Sequence, residues 1–116
     1  IDELGYHQQY KIMKYLDSIG KRFTVIDSNI LLNNPKKILS KWCNNIDLEF
    51  DISMLKWDKG SHPQDGIWWK HWYDSVIKTT EFKKFLSNED QLDQKYQSIY
   101  NQSLEYYNEM YDMAIK

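Results

Sequence analysis

The feature that most constrains this chain is a single strand-like stretch, "RFTVI" at residues 22–26, among long segments with helical spacing. Its β-branched and aromatic residues favour a strand, which Asp27 and Ser28 would close. One strand cannot satisfy its own backbone hydrogen bonds, and the nearly continuous apolar run is typical of a buried parallel strand between helices. The sequence therefore predicts an α/β fold whose other strands lie outside this stretch.

The rest of the chain is predicted to be mostly helical. Apolar residues recur every three or four positions over residues 4–19, and Gly20 supplies a stop. A second helix over residues 35–46 can begin with Asn34 as its cap and Pro35 at its first position. We also expect a helical turn after Asp51, helices over residues 67–77, 80–86 and 91–114, and a polar break at residues 88–90.

Size and charge exclude several classes of protein. A length of 116 residues suits one small domain, and 41% hydrophobic with 28% charged residues indicates a folded chain without a membrane-spanning run. A net charge of −2 argues against a dedicated nucleic-acid or membrane binder. Cys43 is the single cysteine, so it forms no intramolecular disulfide, and we expect a buried thiol.

Common catalytic motifs are missing from the sequence. The glycines do not match a P-loop or a dinucleotide fingerprint, and the histidines lack the spacing of zinc ligands. Ser61, His62 and Asp65 are too close in a loop to be expected to form a catalytic relay. We interpret the carboxylate pairs as solvated surface charge; they are Glu49 with Asp51 and Asp27 with Asp47.

The loop from Lys56 to Lys70 is the segment with ligand-binding chemistry. It contains Lys59 and Gly60, and a helix is predicted to begin near Gly66. Lysine ammonium groups and exposed backbone N–H groups at a helix start can bind a phosphate, and glycine lets the anion approach the backbone. The alternative is that these are ordinary solvated lysines.

Aromatic residues follow this loop directly. Trp68, Trp69, Trp72 and Tyr73 share helical spacing, which predicts that most of them pack in a core, and only one ring need lie beside a ligand. The tyrosines of residues 96–111 are interpreted in the same way, as helix packing with hydrated hydroxyl groups.

The stretch "DKGSHPQDGIWWKHWYDSV" resembles the R-K-G-x-x-G-x-W-K signature near the C-terminus of sulfotransferases that use 3′-phosphoadenosine 5′-phosphosulfate (PAPS). The upstream "FTVIDSNILLNNPKKILSKWCNNIDLEFDISMLKW" is similar to the strand, D-x-x-x-L and P-x-x-x-L helix that precede that loop in the family. The resemblance implies that the 3′-phosphate of PAPS is bound by matching positions, which are Lys59, Gly60, Gly66, Trp69 and Lys70.

Two departures from the signature suggest a divergent branch. Asp58 stands where the family has Arg, and five residues instead of two separate Gly60 from Gly66. Lys56 could replace the missing Arg.

The resemblance implies the C-terminal portion of a P-loop-like three-layer α/β/α sulfotransferase fold, with residues 1–116 as one segment. The phosphosulfate loop and the catalytic histidine of the family would lie in an N-terminal half outside this chain, attached to it or on a second chain. The complete enzyme would transfer a sulfuryl group from PAPS to the hydroxyl or amine of a small-molecule acceptor, without a metal, and we expect a cytoplasmic location. The segment alone is expected to be inactive.

Two other functions stay open. The chain could be a helical protein–protein interaction module that uses its aromatic face and binds no nucleotide. It could also be a sulfotransferase relative that has lost activity, which the Asp58 departure would explain.

Overall fold

The computed structural model describes residues 4–87 and 91–116, and these residues are mostly helical. The chain divides into two compact units, Ile1–Ser28 with Leu86–Lys116, and Asn29–Phe85. The predicted break at residues 88–90 lies outside the described residues. No described helix is both long enough and apolar enough to cross a membrane. The α-helices are α1 Tyr6–Ser18, α2 Ser28–Asn33, α3 Pro35–Asn45, α4 Trp69–Trp72 and α5 Gln97–Asp112.

The first unit is built on α1 packed against α5. Met13 of α1, Ser103 and Met110 of α5, and Ala114 just after α5 are buried, whereas Ile12 and Ile19 of the same apolar spacing are exposed. The spacing therefore predicted the inner faces only in part. Gly20 has a φ of 65° just after α1, which confirms the predicted stop. The last helix begins later than predicted, because a short 3₁₀ turn at Gln94–Tyr96 precedes it.

The strand predicted at residues 22–26 is wrong, because the structure describes only a single bridge there. Among the described residues this stretch makes only a single-residue parallel bridge, between Val25 and Ala114, and the N–H of Ile115 donates to the carbonyl of Val25 at 3.1 Å. The described residues contain no strand, because a strand needs a paired neighbour along its length and this stretch forms a bridge only at Val25.

The second unit is centred on α3. Pro35 is its first residue after Asn34, as predicted, although the Asn34 side chain makes no capping hydrogen bond. Ile38 is fully buried, and Leu39 and Cys43 are also buried. The helix packs against a 3₁₀ turn, Ile52–Leu55, where the Cys43 sulfur lies 4.0 Å from the Met54 sulfur. The prediction of a buried thiol is therefore confirmed.

The helical turn predicted after Asp51 is that 3₁₀ turn. The Asp51 carboxylate accepts a hydrogen bond from the Ser53 backbone N–H at 2.7 Å. This bond holds the pKa of the carboxyl below its usual value, because it stabilises the charged form.

The helix predicted at residues 67–77 is shorter in the structure, and the helix predicted at residues 80–86 is wrong. The first is reduced to the four-residue α4 and a 3₁₀ turn at Val76–Lys78. The second does not form, and Glu81 instead makes a single antiparallel bridge with Lys56. Helices this short gain little from their own hydrogen bonds and depend on packing, which this aromatic segment largely lacks.

Candidate functional site

The loop predicted to bind phosphate begins at an anchored tryptophan. The backbone N–H of Trp57 donates to the Thr80 carbonyl at 2.9 Å, and its ring Nε1 donates to Thr79 Oγ1 at 3.3 Å. Its ring also meets Phe82 edge-to-face, with ring centroids 5.1 Å apart. These three contacts fix the start of the loop against the segment that follows it.

Both glycines of the resemblance have backbone conformations that other residues rarely adopt. Gly60 has a φ of 112°, and its N–H donates to the Ile77 carbonyl at 2.9 Å. Gly66 has φ 69° and ψ −164°, a combination found almost exclusively in glycine. A Cβ added at either position would meet no atom within 4 Å. Backbone conformation therefore accounts for both glycines, and the space beside each is open.

The residues between the two glycines form a local turn. The carboxylate of Asp65 accepts a hydrogen bond from the backbone N–H of His62 at 2.6 Å, across a 3₁₀ turn at Pro63–Asp65. The His62 Nε2 atom lies 3.1 Å from the Asp58 carbonyl oxygen. Asp65 thus bonds to the backbone of His62 and stabilises the turn.

The two candidate lysines are exposed to solvent. Within residues 4–87 and 91–116, no carboxylate lies within ion-pair distance of Lys59 or Lys70. The Lys70 ammonium lies 5.9 Å from the centroid of the half-buried Trp69 ring, at the outer limit of a cation–π contact. Trp69 and Lys70 are therefore brought together, whereas the described contacts do not join Lys59 to either of them.

The helix expected to begin near Gly66 begins later and is shorter than predicted. The α4 helix begins at Trp69 and has only four residues, so its dipole adds little to anion binding. Any phosphate held here would depend on the lysines and on the backbone at Gly66, because the Gly60 N–H already donates to the Ile77 carbonyl.

The prediction that the aromatic residues pack in a core is largely wrong. Ile67 is 78% exposed, Trp68 is 63% exposed and Tyr73 is also exposed. The side chain of Trp72 lies outside the described part of the structure. Among the described side chains of this group, Trp69 is the half-buried one, and its ring centroid lies 5.9 Å from the Lys70 ammonium.

Sequence reasoning missed one polar pair. Asp27 was interpreted as solvated, but it is 9% exposed, and the Tyr107 hydroxyl donates to its carboxylate at 2.9 Å. The position of Asp27 directly after the apolar stretch 23–26 is the sequence feature that could have indicated its burial. Glu49, Asp47 and Asp51 are exposed, as predicted.

Comparison with known proteins supplies the classification of the chain. A family model described as a sulfotransferase domain matches residues 6–114. The chain belongs to the sulfotransferase domain family. That match spans both compact units and includes every residue of the candidate loop.

Two relatives from Arabidopsis thaliana are similar to part of the sulfotransferase domain. They are branched-chain-amino-acid aminotransferase-like protein 2, 35% identical, and protein 1, 38% identical, each over 80 residues. The matches cover 69% of this chain and 14% of each relative, so the chain spans a small part of their length. No solved structure matches the chain.

Proposed function

We propose that the chain forms the 3′-phosphate-binding side of a PAPS-dependent sulfotransferase with a P-loop-like α/β fold. The observation that carries this proposal is the sulfotransferase-domain match over residues 6–114. In the proposed reaction, the acceptor oxygen or nitrogen bonds to sulfur, the bond between sulfur and the phosphate oxygen of PAPS breaks, and adenosine 3′,5′-bisphosphate leaves. The base that takes the acceptor's proton would come from outside this chain.

The residues of the loop offer positive charge and glycine backbone to a phosphate. Lys59 and Lys70 supply two exposed positive charges, and the open space beside Gly66 would let an anion approach the backbone closely. The N–H of Gly60 already donates to the Ile77 carbonyl, so Gly60 would contribute its conformation and not a hydrogen bond. The Trp69 ring lies 5.9 Å from the Lys70 ammonium, so it offers that group at most a weak cation–π contact. These groups would position the nucleotide, and positioning supplies much of the catalysis in group transfer of this kind.

Binding of adenosine 3′,5′-bisphosphate tests the proposal. A ligand that binds only the folded chain raises its melting temperature, by an amount that grows with ligand concentration. We expect such a shift in the wild type and no shift in the Lys59→Ala/Lys70→Ala variant, because the 3′-phosphate would lose both charges. Adenosine 5′-monophosphate, which lacks the 3′-phosphate, should give a clearly smaller shift.

The matched control is Lys83→Ala/Lys84→Ala, which removes two exposed lysines of the same unit outside the loop. This variant should keep the full ligand shift. Equal shifts in both double variants would overturn the assignment of the loop, and no shift in the wild type would overturn nucleotide binding by this chain.

The exposed apolar residues of this segment favour one alternative, a protein–protein interaction module. Ile67, Trp68 and Val76 expose more than half of their surface, and large apolar groups at a surface are typical of protein contacts. A chain that shows no response to the bisphosphate would support this function instead.

A further inference from the structure

The histidine of the candidate loop, His62, is held at two points. Its backbone N–H donates to the Asp65 carboxylate at 2.6 Å, and its ring Nε2 lies 3.1 Å from the carbonyl oxygen of Asp58. That carbonyl belongs to the peptide group that joins Asp58 to Lys59. The two bonds therefore place the exposed imidazole ring beside the backbone of the first candidate lysine.

The bond to Asp58 determines which ring nitrogen of neutral His62 carries the proton. A carbonyl oxygen only accepts hydrogen bonds, so Nε2 must donate, and the neutral ring then has a lone pair on Nδ1. A lone pair repels an anion, whereas the protonated ring presents an N–H at Nδ1 and a full positive charge. In this geometry only the charged form of His62 attracts a phosphate.

Other charged groups lie on the loop and on the segment packed against it. The loop carries Asp58, Lys59 and Asp65 near His62. The packed segment, joined to the loop by the backbone bonds of Ile77 and Thr80, carries Asp74, Lys78 and Glu81. Asp74 and Lys78 pair with each other at 2.8 Å. A phosphate bound at the loop would add negative charge beside His62 and would therefore favour the charged form of its ring.

We propose that His62 is a third phosphate-binding group of the loop, beside Lys59 and Lys70, and that phosphate binding is coupled to uptake of a proton by its ring. This inference rests on the proposed function, because the phosphate is the 3′-phosphate of the nucleotide. Lysine side chains are in general charged throughout the neutral range, whereas a histidine gains its charge only as the pH falls. A ligand that prefers the protonated ring takes up a proton on binding, so its affinity rises as the pH falls.

Calorimetric titration of the 116-residue chain with adenosine 3′,5′-bisphosphate at about pH 6.5 and about pH 8 tests this coupling. The phosphate groups of the ligand also titrate near this range, so the informative quantity is the ratio of wild-type affinity to that of His62→Gln at each pH. Glutamine keeps a donor for the Asp58 carbonyl but gains no charge.

We expect the wild type to bind about threefold to tenfold more tightly than His62→Gln at the lower pH, because the charged ring adds a charge-assisted hydrogen bond. At the higher pH the two affinities should agree within about twofold, since the ring is then neutral. Titrations in two buffers of different ionisation enthalpy should show a larger proton uptake for the wild type than for His62→Gln.

Two further variants test whether this one ring is responsible. His62→Arg carries its charge at every pH used, so at about pH 8 it should bind the bisphosphate about threefold to tenfold more tightly than the wild type. His71→Gln removes the exposed histidine of α4, and it should keep the pH dependence of the wild type.

Equal ratios of wild type to His62→Gln at the two pH values would overturn this inference and leave the lysine site intact. Loss of the pH dependence in His71→Gln would also overturn it. No binding by the wild type at either pH would overturn the proposed function and this inference together. Circular dichroism identifies a variant that has lost its fold, and if His62→Gln does not fold, the comparison of His62→Arg with the wild type decides.

Discussion

Two segments of the Asn29–Phe85 unit have similar apolar spacing but differ in the burial of their side chains. In α3 the apolar stripe is buried, with Ile38 at 0% exposure, because the 3₁₀ turn Ile52–Leu55 packs against this helix. In residues 67–78 the helix stops after one turn, and Ile67 is 78% exposed. The difference teaches that periodicity predicts which residues share a face, whereas burial also requires an element that covers that face.

The largest expected effect comes from truncating one isoleucine in each segment. Ile38→Ala should lower the free energy of unfolding by about 2–5 kcal/mol, because it leaves a cavity in a fully packed site. Ile67→Ala should change it by no more than about 0.5 kcal/mol, since the side chain is mostly in water. Urea unfolding of both variants measures the contrast. Similar losses in the two variants would show that Ile67 is covered in solution.

Substitutions of Gly66, in the exposed segment, are expected to have a smaller effect on the free energy of unfolding. Gly66→Ala should destabilise the chain by about 1–3 kcal/mol through backbone strain alone, since the added Cβ meets no neighbour. Gly66→Asn should cost about as much, because ψ −164° lies outside the left-handed helical region that Asn tolerates. Thermal unfolding compares both with Ser61→Ala, an exposed loop change that should be nearly neutral. Rescue by Asn would show that the loop adopts a different conformation.

The smallest effect concerns the ion pair after α4. Lys78 Nζ lies 2.8 Å from Asp74 Oδ2, but both side chains are more than half exposed. Removing either partner should cost about 0.2–0.5 kcal/mol, and the coupling in a double-mutant cycle should vanish in about 1 M salt. A coupling above about 1 kcal/mol that survives salt would mean that this segment is shielded from solvent.

Local signals made part of the fold predictable. Gly20 and Pro35 mark a helix end and a helix start in the structure as they do in the sequence, and the spacing around Ile38 gave the buried face of α3. These features depend on neighbouring residues along the chain. The strand at residues 22–26 and the helix at 80–86 were wrong, since both depend on pairing or covering partners that local sequence does not reveal.

The assignment of the candidate site residues stays a prediction. The positive φ angles of Gly60 and Gly66 fit the glycines of the resemblance, and the solvent exposure of Lys59 fits its expected role. The family membership of the chain is confirmed by the match over residues 6–114. The burial of Asp27 was missed, because it results from contact with Tyr107, 80 positions away in the sequence.

The buried position of Cys43 makes it a reporter of local opening around α3. It is the single cysteine and is 2% exposed in α3, so a maleimide can react with it only when that helix separates from its cover. The rate of labelling would then measure how often this part of the molecule opens, without any introduced cysteine.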